Sequence, residues 1–376
     1  MAVTLEKLQQ HISQKMPSSD ADFLRQLAGT LFEKASSDFL DTFDADAMMA
    51  IALGALRSLE ARKAAPQMVR VYNPTVEADG WTCKQTVVEI LLDDRPFIVD
   101  TVRAELKRLG LRVHYLLHPI MRVKRQDGKL IRQFQPASEP GEAYELYLVE
   151  RVDSGEQQAE ICSRLERVLE DLRLATDDYK DMKARAQEVR NFLKGLQEKT
   201  QNAERAADLA EVDAFIDWLC HNNFVFLGYR EYDIIDHEGA PCLQVHADSS
   251  LGILRNLETS NYLQPVPLSQ LPESLRARVL HGRLLLVTKS NAEATVHRAV
   301  RMDYVGIKKW DDQDQALGEM RFLGLFTSQA LSTPVREIPI LRRKLKRVLE
   351  MDQCVEGGHD YKQIVSIFNS MPREEL

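Results

Sequence analysis

LLDDRPFIVDTVRAELKRLGLRVHYLLHPI, Leu91–Ile120, sets a strand, a tight turn, a helix and a second strand in one short stretch. Ile98, Val99, Val102, Leu106 and Leu109 recur on one helical stripe, and Gly110 follows as a C-cap. LRVHYLLH then alternates with period two, placing Val113, Tyr115 and Leu117 on one face and Arg112, His114, Leu116 and His118 on the other. Upstream, the β-branched run CKQTVVEILLD reads as the strand that feeds the turn. A strand–helix–strand unit this short favours two parallel strands joined by a right-handed crossover.

Working outward, Asp127-Gly128 marks a hairpin, YELYLVERV a half-buried strand, and Glu156 to Leu174 an amphipathic helix. MVRVY, Met68–Tyr72, adds a short strand in front. The order is close to the βαββα part of a ferredoxin-like sandwich. From Ala21 to Lys63 apolar residues recur at helical spacing with breaks near Ser36 and Asp44, which predicts a small helical cap over residues 1–65.

Asp177 to Asp208 is highly charged with sparse apolar residues, so a solvated connecting helix is expected between two domains. Beyond it a helix ends at His221-Asn222-Asn223. FVFLGYREYDII, CLQVHA, RLLLVTKS, ATVHRAV, MDYVGIKKW and MRFLGLFTS then read as strands of an antiparallel sheet. The glycines in Phe226-Leu227-Gly228, Tyr304-Val305-Gly306 and Phe322-Leu323-Gly324 predict bulges or close backbone approach. REIPILRRKLKRVLE closes the region as a basic helix whose Ile338, Leu341, Leu345, Val348 and Leu349 form a docking stripe. Gln363 to Phe368 begins another helix, and the stop at PREEL reads as a boundary inside a longer polypeptide.

The chain has 376 residues, 44% apolar and 28% charged, with a formal charge of −8, which describes a soluble globular protein of two or three domains. That charge argues against a nucleic-acid partner. No apolar run has the ~18 residues of a membrane span and no secretory leader is visible, so a cytoplasmic protein without a membrane partner is expected. The five cysteines stand far apart without a CxxC pair, as free, mostly buried thiols would.

Neither GxGxxG nor GxxxxGK[ST] occurs, and no serine or cysteine lies in a nucleophile context. His114 and His118 would sit ~13 Å apart along a strand, too far for one metal. Neither catalytic, cofactor nor metal residues are therefore assigned. The turn DDRPFIVD remains. Pro96 suits a first helical turn, and the unpaired amides after it can hold a carboxylate. Asp94 and Arg95 beside them would recognise the amino and carboxylate groups of an amino acid. The alternative is that Asp94 caps the helix and Arg95 is solvated.

DDRPFIVD with its helix and LRVHYLLHP resembles the first strand–turn–helix of an ACT domain, a fold that often binds amino acids at that turn. The ordered set VRVYNP, DDRPFIVDTV, HPIMRVKRQDGKL, FVFLGYREYDI, SSLGILR, DYVGIKKW, GEMRFLGLFTS and REIPILRRK resembles the N-terminal segment of the large bacterial NAD-specific glutamate dehydrogenases.

The resemblance implies an α+β chain. Its parts are a helical cap (1–65), an ACT-like ferredoxin-type sandwich (66–176), a charged linker helix (177–208), a PAS-like antiparallel sheet domain (209–334) and C-terminal helices (335–376). It also implies a regulatory and assembly segment without catalytic residues of its own. The segment's partners would be its downstream catalytic domain, further copies in a homo-oligomer and an amino-acid effector. NAD would belong to the parent enzyme and no cofactor to this segment. Asp94, Arg95, Phe97 and Asp100 are the candidate effector-binding residues. Two departures stand out: Phe97 occupies the place where effector-binding ACT domains usually carry glycine, and no final strand follows Leu174, which leaves MVRVY to take that edge. An amino-acid-sensing ACT module of another protein and a purely oligomerising scaffold remain as alternatives.

Overall fold

A computed structural model describes residues 4–257, 260–311, 313 and 315–371; the closing PREEL lies outside them. The chain divides into two compact units, Met1–Leu172 with Thr295–Ala299, and Arg173–Ala294 with Val300–Leu376.

The first unit opens with α1 (Leu5–Lys15), α2 (Ser18–Phe32), α3 (Ser37–Thr42) and α4 (Ala45–Arg62). The two breaks expected in this region are helix caps: Ser36 Oγ accepts from the Phe39 amide at 3.3 Å and Asp44 Oδ1 from the Ala47 amide at 2.8 Å. There follow β1 (Gln67–Tyr72), α5 (Val76–Asp79), β2 (Thr86–Asp93), α6 (Ile98–Arg108), β3 (Val113–Leu117), β4 (Ile120–Met121), β5 (Val123–Gln126), β6 (Lys129–Phe134), β7 (Glu142–Val149) and α7 (Gly155–Asp177). Gly110 closes α6 with a φ of 73°, and Asp127-Gly128 turns the β5–β6 hairpin with both residues at positive φ.

The sheet order is β1–β2–β7–β3, antiparallel throughout, with β4 also on β7. β2 and β3 are parallel to each other, as their short connection predicts, but they are not neighbours. β7 runs between them, and the burial of all its residues marks it as a central strand. Met68–Tyr72 holds the edge beside β2.

Alternation gives the sheet two buried faces. Val87, Leu91, Tyr144, Leu146 and Leu148 share one core with Leu24, Leu27, Phe39, Ile51 and Leu56 of the N-terminal helices, so cap and sheet fold around the same apolar cluster. Two polar links cross that core. Glu89 accepts from Ser58 Oγ at 2.6 Å, Tyr144 Oη at 2.8 Å and Arg70 at 3.0 Å. Glu142 accepts from Arg62 at 2.7 Å and from Arg125 at 2.5 and 2.9 Å.

The second unit takes the last residues of α7, then α8 (Tyr179–Lys199), α9 (Ala203–Trp218), β8 (Phe224–His237), β9 (Ala240–Gly252), β10 (Val266–Pro267) and α10 (Glu273–His281). It continues with β11 (Leu285–Glu293), β12 (Arg301–Trp310), β13 (Ala316–Phe326), α11 (Ser328–Ser332), α12 (Leu341–Met351) and α13 (His359–Ser370). Its antiparallel sheet runs β10–β9–β8–β13–β12–β11. Gly324 sits at a register shift, where an added Cβ would lie 2.1 Å from the Val225 carbonyl oxygen, the close approach its sequence predicts.

The helix expected as a solvated connector is instead a core element. Met182, Ala186, Val189 and Leu193 of α8 are fully buried, in one cluster with Leu209, Val212, Phe215 and Ile216 of α9 and Phe226, Val305, Ile307 and Phe322 of the sheet. Their spacing of four, three and four makes a stripe narrow enough to disappear among the charges of this segment. Arg342, Arg343 and Arg347 of α12 pair with Glu211, Asp208 and Glu204.

ATVHRAV forms no strand. Leu285–Glu293 and Arg301–Trp310 end on either side of it, and its polar groups bond to helices instead. The cysteines are free thiols, of which Cys242 is buried and the others half-buried. Among the described residues no helix is long and apolar enough to cross a membrane.

Candidate functional site

The turn between β2 and α6 is held by an Asp94 amide that donates to the Gly141 carbonyl at 3.0 Å. α6 begins at Ile98, later than Pro96 suggests, and its N-cap is Phe97 with φ 72° and ψ 10°. Among the described residues no side chain caps the helix, so Asp94, exposed and three residues before the N-cap, does not fill the capping role. The left-handed backbone explains why glycine suits this place: a residue with a Cβ is strained there.

The Phe97 ring is occupied. It lies against the His297 ring, with centroids 4.5 Å apart and planes at 38°. His297, itself at φ 69°, donates its amide to Thr101 Oγ1 at 3.0 Å and sets Nδ1 3.3 Å from Asp100 Oδ2. Two residues earlier, Thr295 Oγ1 donates to Asp171 Oδ2 of α7 at 2.7 Å. Val296 between them is buried. Thr295–Ala299, remote in sequence but part of the first unit, is thus fastened to the first turn of α6 and to α7.

Burial pulls the His297 imidazole below its ordinary value, against the opposing pull of Asp100, and burial pushes the Asp171 carboxyl up against its hydrogen bond from Thr295. The imidazole that lies tilted against Phe97 is thereby biased toward its neutral form. The arrangement offers a carboxylate the free amides of the first turn of α6, a ring pair beside them, and the exposed Asp94 and Asp100.

Of the four residues read from the sequence, Phe97 and Asp100 converge on His297, and Asp94 lies on the solvent side of the turn. Arg95 is half-buried beside them. Thr101, Asp171, Thr295 and His297 carry no local signal that points to the turn.

Comparison with known proteins places these features in a family. The family model described as glutamate dehydrogenase, ACT1 domain, matches residues 27–165, and the one described as glutamate dehydrogenase, helical motif 1, matches residues 338–376. The NAD-specific glutamate dehydrogenase of Halomonas elongata is 35% identical over 82% of the chain and 19% of its own length. That of Pseudomonas aeruginosa is 30% identical over 98% of the chain and 22% of its own length, and that of Mycobacterium tuberculosis 25% identical over 77% and 17%. The chain thus spans about a fifth of the length of the curated relatives it matches. A strand–turn–helix–strand inside an ACT1 match, with the C-terminal helices inside a second match from the same enzymes, makes this chain a member of the NAD-specific glutamate dehydrogenase family.

Proposed function

We propose that the chain is the regulatory and assembly segment of an NAD-dependent glutamate dehydrogenase, and that it carries no oxidation chemistry of its own. In this reading the parent converts L-glutamate, NAD and water to 2-oxoglutarate, ammonia and NADH in a downstream domain that this segment contacts. The observation that carries it is the ACT1 match over residues 27–165, which takes in the whole turn and both strands beside it. The test is steady-state kinetics of the intact enzyme with and without residues 1–376. A regulatory segment alters the response to effectors, and an assembly segment alters the oligomeric state. Glutamate-dependent NADH formation by the isolated chain overturns the non-catalytic assignment.

The finer architecture follows the same reading. The first sheet, with β2 and β3 flanking β7 and β1 at the edge, supports a ferredoxin-type ACT-like sandwich. In the second sheet the long strands lie in the order second, first, fifth, fourth, third, which supports a PAS-like module. Asp94, Arg95, Phe97 and Asp100 would form the effector turn for a free amino acid, in a cytoplasmic homo-oligomer. An amino acid bound there raises the melting temperature of the chain by mass action; an unchanged melt across a panel of free amino acids removes this role.

The Phe97–His297 stack favours a second reading, in which the turn holds Thr295–Ala299 and the domain serves assembly alone. That reading expects self-association in sedimentation and no amino-acid response.

A further inference from the structure

The sheet of the second unit sets Val305, Ile307, Met320 and Phe322 against α8 and α9 on one face, and its other face carries a smaller apolar cluster with Tyr232, Leu243, Val245 and Val279 beside a group of polar side chains. On this second face Tyr232, Tyr304, Lys308, Glu319 and Arg321 line a cavity of about 160 Å³, with Arg278 and Val279 of α10 on its wall. Polar residues enclosed between a sheet and a helix need partners, since an unpaired buried donor costs on the order of 1–3 kcal/mol.

Some are paired. Lys308 Nζ lies 3.2 Å from Glu319 Oε2, and the Tyr304 hydroxyl donates to Glu319 Oε1. Arg321 is not. Its guanidinium is held between Tyr232 and Tyr304, 4.7 and 5.6 Å from their ring centroids, and its buried Nε has no acceptor among the described residues. Aromatic faces attract the cation without consuming its N–H donors, which stay available to a ligand. With Lys308 and Glu319 offsetting each other, Arg321 and Arg278 leave two positive charges at the cavity. Burial raises the Glu319 carboxyl to about 7 and lowers the Lys308 amine to about 8, so the pair adds little net charge near neutrality.

We propose that this cavity binds a small dicarboxylate, one carboxylate on the edge of the Arg321 guanidinium and the other toward Arg278. The volume equals that of roughly five liquid waters, which suits a chain of about four or five carbons. The site shares no residue with the turn at Phe97 and does not depend on the function of that turn.

The test is calorimetric and thermal-melt titration of the chain with glutarate, against propionate, glutaramide and inorganic phosphate. Glutarate is expected to bind saturably, propionate about tenfold more weakly or worse, and glutaramide not at all. Arg321→Met is expected to weaken glutarate about tenfold or more, and Arg278→Gln to weaken it less. Should Arg321→Met fail to fold, Arg321→Lys, which keeps the charge and loses the planar edge, takes its place beside Arg278→Gln. The proposal is overturned by any of three results: no saturable glutarate binding, full affinity in both Arg321→Lys and Arg278→Gln, or phosphate binding more tightly than glutarate.

Discussion

Phe97 and His297, two hundred residues apart in sequence, stack their rings at 4.5 Å while each holds a left-handed backbone, at φ 72° and 69°. Each strained residue is held by contacts around the other: Phe97 caps α6, whose Thr101 accepts the His297 amide. Strain of this kind, on the order of 1–2 kcal/mol for a residue with a Cβ, persists only where surrounding contacts over-determine it.

A pair of substitutions separates strain from contact. Phe97→Ala loses the ring pair and keeps the strain, whereas Phe97→Gly loses the ring and relaxes. Urea denaturation of the two variants should therefore rank glycine above alanine by about 1 kcal/mol. The reverse order contradicts a strained Phe97.

Acid should weaken the same contact. Burial lowers the His297 pKa and Arg298 adds to the effect, while Asp100 opposes it. A histidine with a depressed folded pKa contributes stability above its unfolded value of about 6.5, and that contribution is lost as pH falls through the folded value. A carbon-13 titration of His297 by NMR should place its midpoint below 6.5, with exchange protection of residues 295–299 falling over the same range. A midpoint above 6.5 would mean that Asp100 dominates.

The order strand, turn, helix, strand was legible because periods of 2 and 3.6 alternate cleanly in Leu91–Leu117, and Phe97 stood out as a side chain in a glycine's place. What occupies that side chain was not legible. His297 sits in ATVHRAV, whose apolar residues imitate a strand, and pattern reading has no access to contacts between distant segments. α8 escapes the pattern for a different reason: Ala186 completes its buried stripe, yet alanine counts for little in a hydrophobic pattern. The buried carboxylates Glu89, Glu142 and Glu145 were also invisible, since charge in a sequence reads as surface.

Glu145 offers a pH test of that last point. It is 1% exposed on β7, its carboxyl accepts from the Tyr147 hydroxyl at 2.5 Å, and burial raises its pKa to about 7. Because the folded value exceeds the unfolded value, its contribution is full below about pH 4.5 and is lost as pH rises through 7. Glu145→Gln keeps an acceptor for Tyr147 and removes the proton. It should raise stability at pH 8 by up to about 3 kcal/mol and change little at pH 5. Equal effects at both values would assign the gain to packing instead.

Glu142 should behave in the opposite sense. Its carboxylate joins Arg62 of α4 to Arg125 of the β5–β6 hairpin, and both cations also donate to backbone carbonyls, Arg62 to Ala65 and Pro66 and Arg125 to Leu59 and Gly128. Removing the carboxylate takes the ion pair from Arg125 and leaves Arg62, 6% exposed, with Asp93 at 2.7 Å as its remaining carboxylate. Breaking a buried pair from one side costs on the order of 3–5 kcal/mol, because the remaining charge stays out of water. Glu142→Ala should therefore be among the most destabilising single changes in the first unit. Arg62→Met alone should cost less, since Arg125 keeps Glu142 paired through two nitrogens. If thermal melts show Arg62→Met to be the more damaging of the two, α4 is held by the arginine's contacts with Asp93, Ala65 and Pro66 and not by its pairing with Glu142.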